Sequence, residues 1–165
     1  MKNILEVNGE KNIPGLLISI IVTEGIGALS GFIGGAGKMG YSNLKKPFFS
    51  PPGYVFPIVW FILYFLMAIA FYRIWISGKQ GKDVKKAIIL YAIQLGLNFI
   101  WSIIFFRFNL YGLAFLELLI LFVFILLTTF EFYKIDKVSA YLMIPYIIWV
   151  FFAGILNCAV WLLNS

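Results

Sequence analysis

The 165 residues predict an all-α membrane protein, a five-transmembrane-helix bundle. Three observations lead there. Hydrophobic residues make up 62% of the chain and charged residues 12%, against about 45–50% and about 25% in soluble domains. A soluble fold of this size has no interior large enough to hide that surface. The apolar residues also come in runs of about 20 or more, the length that crosses a hydrocarbon core about 30 Å thick. Finally, runs such as 110–132 are apolar all round, whereas a membrane β-barrel shows segments of about ten residues alternating apolar and polar. Helices follow, because in lipid each backbone N–H must find its partner within its own segment.

The first span begins near Ile13, with Pro14 in the first turn, and runs to about residue 36; a first-turn proline is tolerated because its missing N–H has no intrahelical partner there. Gly27, Gly31 and Gly35 stand four apart on it, a smooth face for close backbone approach, either inside the bundle or across a homodimer seam. A loop over 37–53 follows, stiffened by Pro47, Pro51 and Pro52, with Tyr41, Phe48 and Phe49 between; it is either a lid above the bundle or a plain connector. The second span covers about 54–76, and 78–86 is a basic linker. The third runs about 87–106 and turns over at 107–109. The fourth occupies about 110–132, a polar turn fills 133–137, and the fifth runs about 138–163. Connections this short predict sequential, antiparallel neighbours in one domain over residues 1–165.

Orientation follows from Lys and Arg near the span ends. One face carries Lys2, Lys11, Arg73, Lys79, Lys82, Lys85, Lys86, Lys134 and Lys137, the other Lys38, Lys45, Lys46 and Arg107. Nine against four places the N-terminus inside.

Composition also excludes function classes. The net charge of +6 sits in short loops and forms no single basic surface, so nucleic acid is not an expected partner. Histidine is absent and Cys158 is the lone cysteine, which argues against triad hydrolysis, a metal site or a disulfide framework. Met1 to Asn12 holds Glu6 and Glu10, with no small-residue cleavage site after the first apolar run, so no removed signal peptide is expected.

Two carboxylates, Glu24 and Glu117, fall within spans, where a charge costs about 2.5–3.5 kcal/mol on insertion scales. Each needs a partner, a cavity or a proton, whether its use is structural or in transport or proton relay. Aromatic stripes are more informative. Phe56, Trp60 and Tyr64 recur at i, i+4 and i+8; Gln94, Asn98 and Trp101 at i, i+4 and i+7; and Pro145, Trp149, Ala153 and Asn157 share a stripe on the last span. If these faces meet inside the bundle, they enclose an aromatic-walled space with a few amides, suited to a flat, largely apolar ligand. The competing reading makes them ordinary packing or interface residues. Trp75 and Trp161, near span ends, read as interface belt residues.

The chain resembles the TspO/MBR family, the tryptophan-rich sensory proteins related to the mitochondrial translocator protein or peripheral benzodiazepine receptor. The marks are Lys46-Pro47, Pro51-Pro52-Gly53 and Trp60; Gln94-Leu95-Gly96-Leu97-Asn98 with Trp101-Ser102 and Phe105-Phe106; and Ala140-Tyr141-Leu142-Met143-Ile144-Pro145-Tyr146 leading to Trp149, Ala153 and Leu156-Asn157. Three such marks in order on a five-span scaffold are specific. The resemblance implies a homodimeric five-helix bundle in a bacterial cytoplasmic membrane. Its ligands would be porphyrins and haem-pathway intermediates, sterols or other lipids, and benzodiazepine-type molecules; porphyrin would be a ligand and no cofactor is implied. By resemblance, the ligand-binding residues are Tyr41, Trp60, Gln94, Asn98, Trp149 and Ala153. A sensor or regulator of tetrapyrroles is the leading expectation, with a transporter of the same ligands as the alternative. Some relatives degrade porphyrin in light and oxygen, and Trp60 and Trp149 would then be the reactive pair. Gly40 and Phe49 stand where many bacterial relatives carry tryptophan, which makes this loop less oxidisable and that activity less expected.

Overall fold

The computed structural model describes residues 4–35 and 44–164. Five helices carry the chain: α1 (Ile13–Gly34), α2 (Val55–Lys79), α3 (Lys85–Ser102), α4 (Tyr111–Ile135) and α5 (Lys137–Asn164). All five are long and apolar enough to cross a membrane, α3 together with the π-helical turn Ile103–Arg107 that extends it. No strand forms among the described residues, only a bridge between Val7 and Glu10.

Local chemistry sets the ends. Asn12 caps α1 by accepting the Gly15 N–H at 2.8 Å, next to the first-turn Pro14. Gly35 closes the same helix at φ +76°, a left-handed conformation that glycine adopts without strain. Between α4 and α5 the break is one residue. Asp136 ends α4 in an extended conformation, and its carboxylate accepts the Ser139 N–H at 3.0 Å and hydroxyl at 2.7 Å, which starts α5. The polar turn expected over 133–137 is therefore mostly helix, because one N-capping aspartate suffices to restart it.

Around the bundle the order is α1, α2, α5, α4, α3 and back to α1. Consecutive α2 and α3 barely meet, contrary to the expectation of sequential neighbours. Five residues separate them, from Gln80 to Val84, and an extended stretch of that length reaches about 17 Å. That is about two interaxial distances of 8–10 Å, enough to cross the end of the bundle. Along the way Gln80 donates to Val7 O at 2.8 Å, and the Lys82 ammonium donates to Ile135 O at 2.6 Å.

The interior is packed by Met67, Ala70, Ile74, Leu121, Ile125, Phe132, Met143 and Val150. Phe71, Tyr91 and Phe132 stack through it with centroids 4.7 and 5.9 Å apart. The outer surface is apolar too, with Ile18, Ile21, Phe32, Leu116, Ile120 and Phe130 each more than half exposed. Lipid is the environment that accepts such a surface.

Arg73 departs from the orientation count. It is buried on α2, its guanidinium paired with Asp136, so it is not a free surface charge. Removing it from nine leaves eight basic residues against four, and the asymmetry keeps its sign. Trp75 packs on α1, where a Cβ at Gly15 would lie 2.4 Å from its ring, and the Lys79 ammonium lies 4.0 Å from its centroid.

The glycine series divides. A Cβ on Gly27 would fall 2.3 Å from the Tyr64 ring, whereas one on Gly31 meets no described atom within 4 Å. Within this series Gly27 is thus the residue that lets α1 approach α2, as Gly15 does at Trp75 nearer the start of the helix. Gly27→Ala is expected to lower the thermal unfolding midpoint in detergent, at a cost of about 1–3 kcal/mol for forcing a buried ring aside. Gly31→Ala should leave the midpoint unchanged or raise it slightly. Equal effects at both positions would mean that the α1–α2 contact lies elsewhere.

Candidate functional site

The polar residues of α3 meet the aromatic residues of α2 and α5 in the bundle interior. Gln94 is fully buried and Asn98 nearly so. The Tyr146 hydroxyl donates to Gln94 Oε1 at 3.0 Å and accepts from Asn98 Nδ2 at 2.9 Å. The Tyr64 hydroxyl donates to Asn98 Oδ1 in a short hydrogen bond. Three helices are joined by this chain of two amides and two phenols, and buried polar groups survive in an apolar interior only when paired in this way.

Trp60 covers the chain. Its ring lies 5.5 Å from Tyr64 and 6.2 Å, edge-on, from Tyr146. One turn toward the loop, Phe56 meets Trp149 at 5.8 Å, Trp149 meets Phe152 at 5.6 Å, and Phe152 meets Phe49 of the loop at 6.4 Å. An aromatic path thus runs from the loop to the buried phenols. The loop is tied to the end of α5, with Lys45 N donating to Asn164 Oδ1 at 3.1 Å and Asn164 Nδ2 donating to Lys45 O at 2.9 Å. Phe48 is fully exposed beside it.

A small cavity remains between these walls, about 10 Å³, lined by Trp60, Asn98, Trp101, Leu118, Leu121, Val150 and Ala153. That is room for about one water, against about 300–1,000 Å³ in pockets that hold drug-sized ligands. This cavity is too small for a flat ring system as it stands, and Trp60 and Trp101 form its aromatic walls.

Of the six expected ligand-binding residues, Trp60, Asn98 and Ala153 line the cavity. Gln94 is joined to them through Tyr146. Trp149 is half-buried beside Phe56, nearer the loop. Tyr41 lies outside the described residues. Trp101 lines the cavity and anchors α3 to α5 through its indole N–H, which donates to Asn157 Oδ1 at 3.1 Å.

Pro145 does not join the stripe; it is exposed, and Tyr146 takes the interior place. The reason is helical geometry. Steps of four residues advance 400°, so a strict i+4 series drifts about 40° per step away from one face. Over 145, 149, 153 and 157 that drift carries the first member out to lipid. The series 143, 146, 150, 153, 157 and 160, alternating steps of three and four, stays buried throughout. That spacing was the signal that would have found Tyr146 from sequence.

Both membrane carboxyls are set beside this network. Glu117 shares the buried stripe of α4 with Ala114, Leu118 and Leu121, and Glu24 is half-buried on α1. Among the described residues, neither Glu117 oxygen, Glu24 Oε1 nor Gln94 Nε2 has a hydrogen-bond partner.

The fold and this interior define a class: a polytopic membrane bundle whose polar side chains converge on one aromatic cluster close to an interhelical loop. The profile of the TspO/MBR family matches residues 19–162. The chain is 37% identical to the tryptophan-rich protein TspO of Archaeoglobus fulgidus, over 93% of this chain and 99% of that one. It is 35% identical to protein CrtK of Rhodobacter capsulatus, over 75% and 78%, and 33% identical to human translocator protein, over 90% and 89%. The chain belongs to the TspO/MBR family and is an integral membrane protein of five membrane-spanning helices.

Proposed function

We propose that this protein is a membrane ligand-binding sensor or regulator for porphyrins and other tetrapyrrole intermediates. It works in a bacterial cytoplasmic membrane with its N-terminus inside. The observation that supports the reading is the juxtaposition of Trp60 and Tyr146, edge to face, over the Gln94–Tyr146–Asn98–Tyr64 chain, beside a small cavity that Trp60 and Trp101 line. A flat aromatic ligand replaces ring–ring contacts with its own stacking, so opening the cluster is offset by similar contacts in the bound state. The amides then fix the ligand's edge, since a buried hydrogen-bonding group discriminates by what it leaves unpaired. Sterols and benzodiazepine-type molecules share the apolar requirement and are further candidate ligands.

The α2–α5 seam is the route of entry. Phe56–Trp149 and Trp60–Tyr146 are contacts between these two helices, and separating them exposes the cavity without disturbing the better-packed α4–α5 pair.

Titration of the detergent-solubilised protein with protoporphyrin in the dark, read by tryptophan fluorescence quenching, tests the reading. Saturable binding is expected. Trp60→Phe and Trp149→Phe should each raise the Kd about three- to tenfold, the equivalent of one aromatic pair. Quenching that both variants leave unchanged would place the porphyrin at the lipid surface and sink the proposal.

A further inference from the structure

We propose that Glu117 is a ligand-contact residue, whose buried carboxyl takes an N–H or O–H donor of the molecule that occupies the cavity beside Leu118 and Leu121. The site thereby favours, among apolar ligands, those that carry such a donor. This rests on the ligand-binding reading above.

Glu117 is 8% exposed, and neither of its oxygens has a partner among the described residues. It does not sit at the lipid surface, where a long side chain reaches the interface; its neighbours Leu116, Leu119 and Ile120 face outward, while Glu117 lies inward with Ala114, Leu118 and Leu121. Leu118 and Leu121 are cavity walls, so Glu117 stands within one helical turn of the space a ligand would enlarge. Its carboxyl also lies within electrostatic range of the Tyr146 phenol. Across the same interior, the fully buried Gln94 leaves Nε2 without an acceptor. The interior around the cavity therefore holds acceptors without a donor on α4 and a donor without an acceptor on α3, in a region where unpaired polar groups cost several kcal/mol. A ligand that supplies the missing groups gains what the empty site forfeits. The other partnerless groups carry less. Glu24 is only half-buried, and Ser77 lies near the far end of α2.

Infrared difference spectra of protoporphyrin-bound against ligand-free full-length protein, taken in the dark, read the contact directly. On saturation the Glu117 carboxyl C=O band is expected to move to lower frequency, and the band should be absent from Glu117→Gln. In parallel, Glu117→Leu should raise the protoporphyrin Kd about tenfold, about 1.4 kcal/mol, and Glu117→Gln by less, because the amide still accepts. A carboxyl band that stays in place at saturation, with a Glu117→Leu Kd within about twofold of wild type, would overturn the inference and leave the carboxyl satisfied by an internal water. Binding that Trp60→Phe weakens and Glu117→Leu does not touch sinks this inference alone. Absence of saturable binding by the wild type sinks the site reading and this inference with it.

Discussion

Asp136→Ala is expected to destabilise the protein by about 3–5 kcal/mol, because it strands a buried guanidinium. Arg73 donates to both carboxylate oxygens, Nε to Oδ2 at 2.7 Å and Nη2 to Oδ1 at 3.0 Å, and its side chain is 7% exposed. The remaining terminal nitrogen, Nη1, donates to Ile4 O at 2.6 Å and Glu6 O at 3.0 Å, which pins the N-terminal segment to α2. Asp136 also caps α5, so alanine removes an ion pair and a helix start together. Acid should reproduce the loss. Burial pushes the Asp136 carboxyl up, but the hydrogen bonds from Arg73 and Ser139 outweigh it and hold the carboxyl below its ordinary value of 3.8. A depressed folded pKa contributes stability that is full above the unfolded value and lost as pH falls through the folded one. The thermal midpoint in detergent should therefore hold steady down to about pH 5 and fall below about pH 4. In Asp136→Asn that part of the acid dependence disappears. An Arg73→Leu/Asp136→Leu double variant should be more stable than either single variant, since removing both charges leaves none unpaired. Single variants that cost less than about 1 kcal/mol would mean that water reaches the pair.

The same aspartate marks where the sequence stops speaking. Five apolar runs are legible because lipid imposes length and composition on each helix separately. The pairing of residue 73 with residue 136 is not, since it depends on which helices become neighbours. Counting charges put Arg73 among the surface basics because it lies close to the end of the span read over about 54–76; only the placement of α2 beside the α4–α5 junction shows it buried. The interior was partly legible. Gln94 and Asn98 stand on one face at i and i+4, and their amides need partners away from lipid, so their meeting with aromatic residues could be anticipated. Tyr146 was hidden by an i+4 stripe that favoured Pro145. The small size of the cavity was hidden as well, because side-chain packing is set by contacts between helices and leaves no periodic trace.

Asn98→Leu is the second large effect, and it separates a structural network from a mere collection of polar residues. Leucine keeps the branched outline and heavy-atom count of the asparagine side chain; its two methyl groups take more room, part of which the adjoining cavity supplies, and the comparison with Tyr64→Phe separates that packing cost from the lost hydrogen bonds. What it removes is specific. Asn98 Oδ1 is the acceptor for the Tyr64 hydroxyl, and Asn98 Nδ2 the donor to the Tyr146 hydroxyl. Tyr146 keeps Gln94 as its acceptor, but Tyr64, 6% exposed, loses the one partner it shows among the described residues. An expected loss of about 2–3 kcal/mol follows, read as a lower unfolding midpoint in detergent. The decisive comparison is with Tyr64→Phe, which removes the orphaned hydroxyl. Asn98→Leu combined with Tyr64→Phe should cost less than the sum of the two single changes, with a coupling of about 1.5 kcal/mol. That lies at the upper end of values for hydrogen bonds between membrane helices, because the phenol is buried between α1, at Gly27, and the Trp60 ring. Additive effects would mean that Tyr64 finds a new acceptor when Asn98 is lost. The amide would then be free to serve a ligand without cost to the fold. Strong coupling carries the opposite consequence: a ligand can use Asn98 only by replacing what Tyr64 gives up, which makes the Tyr64–Asn98 bond the element that binding has to break.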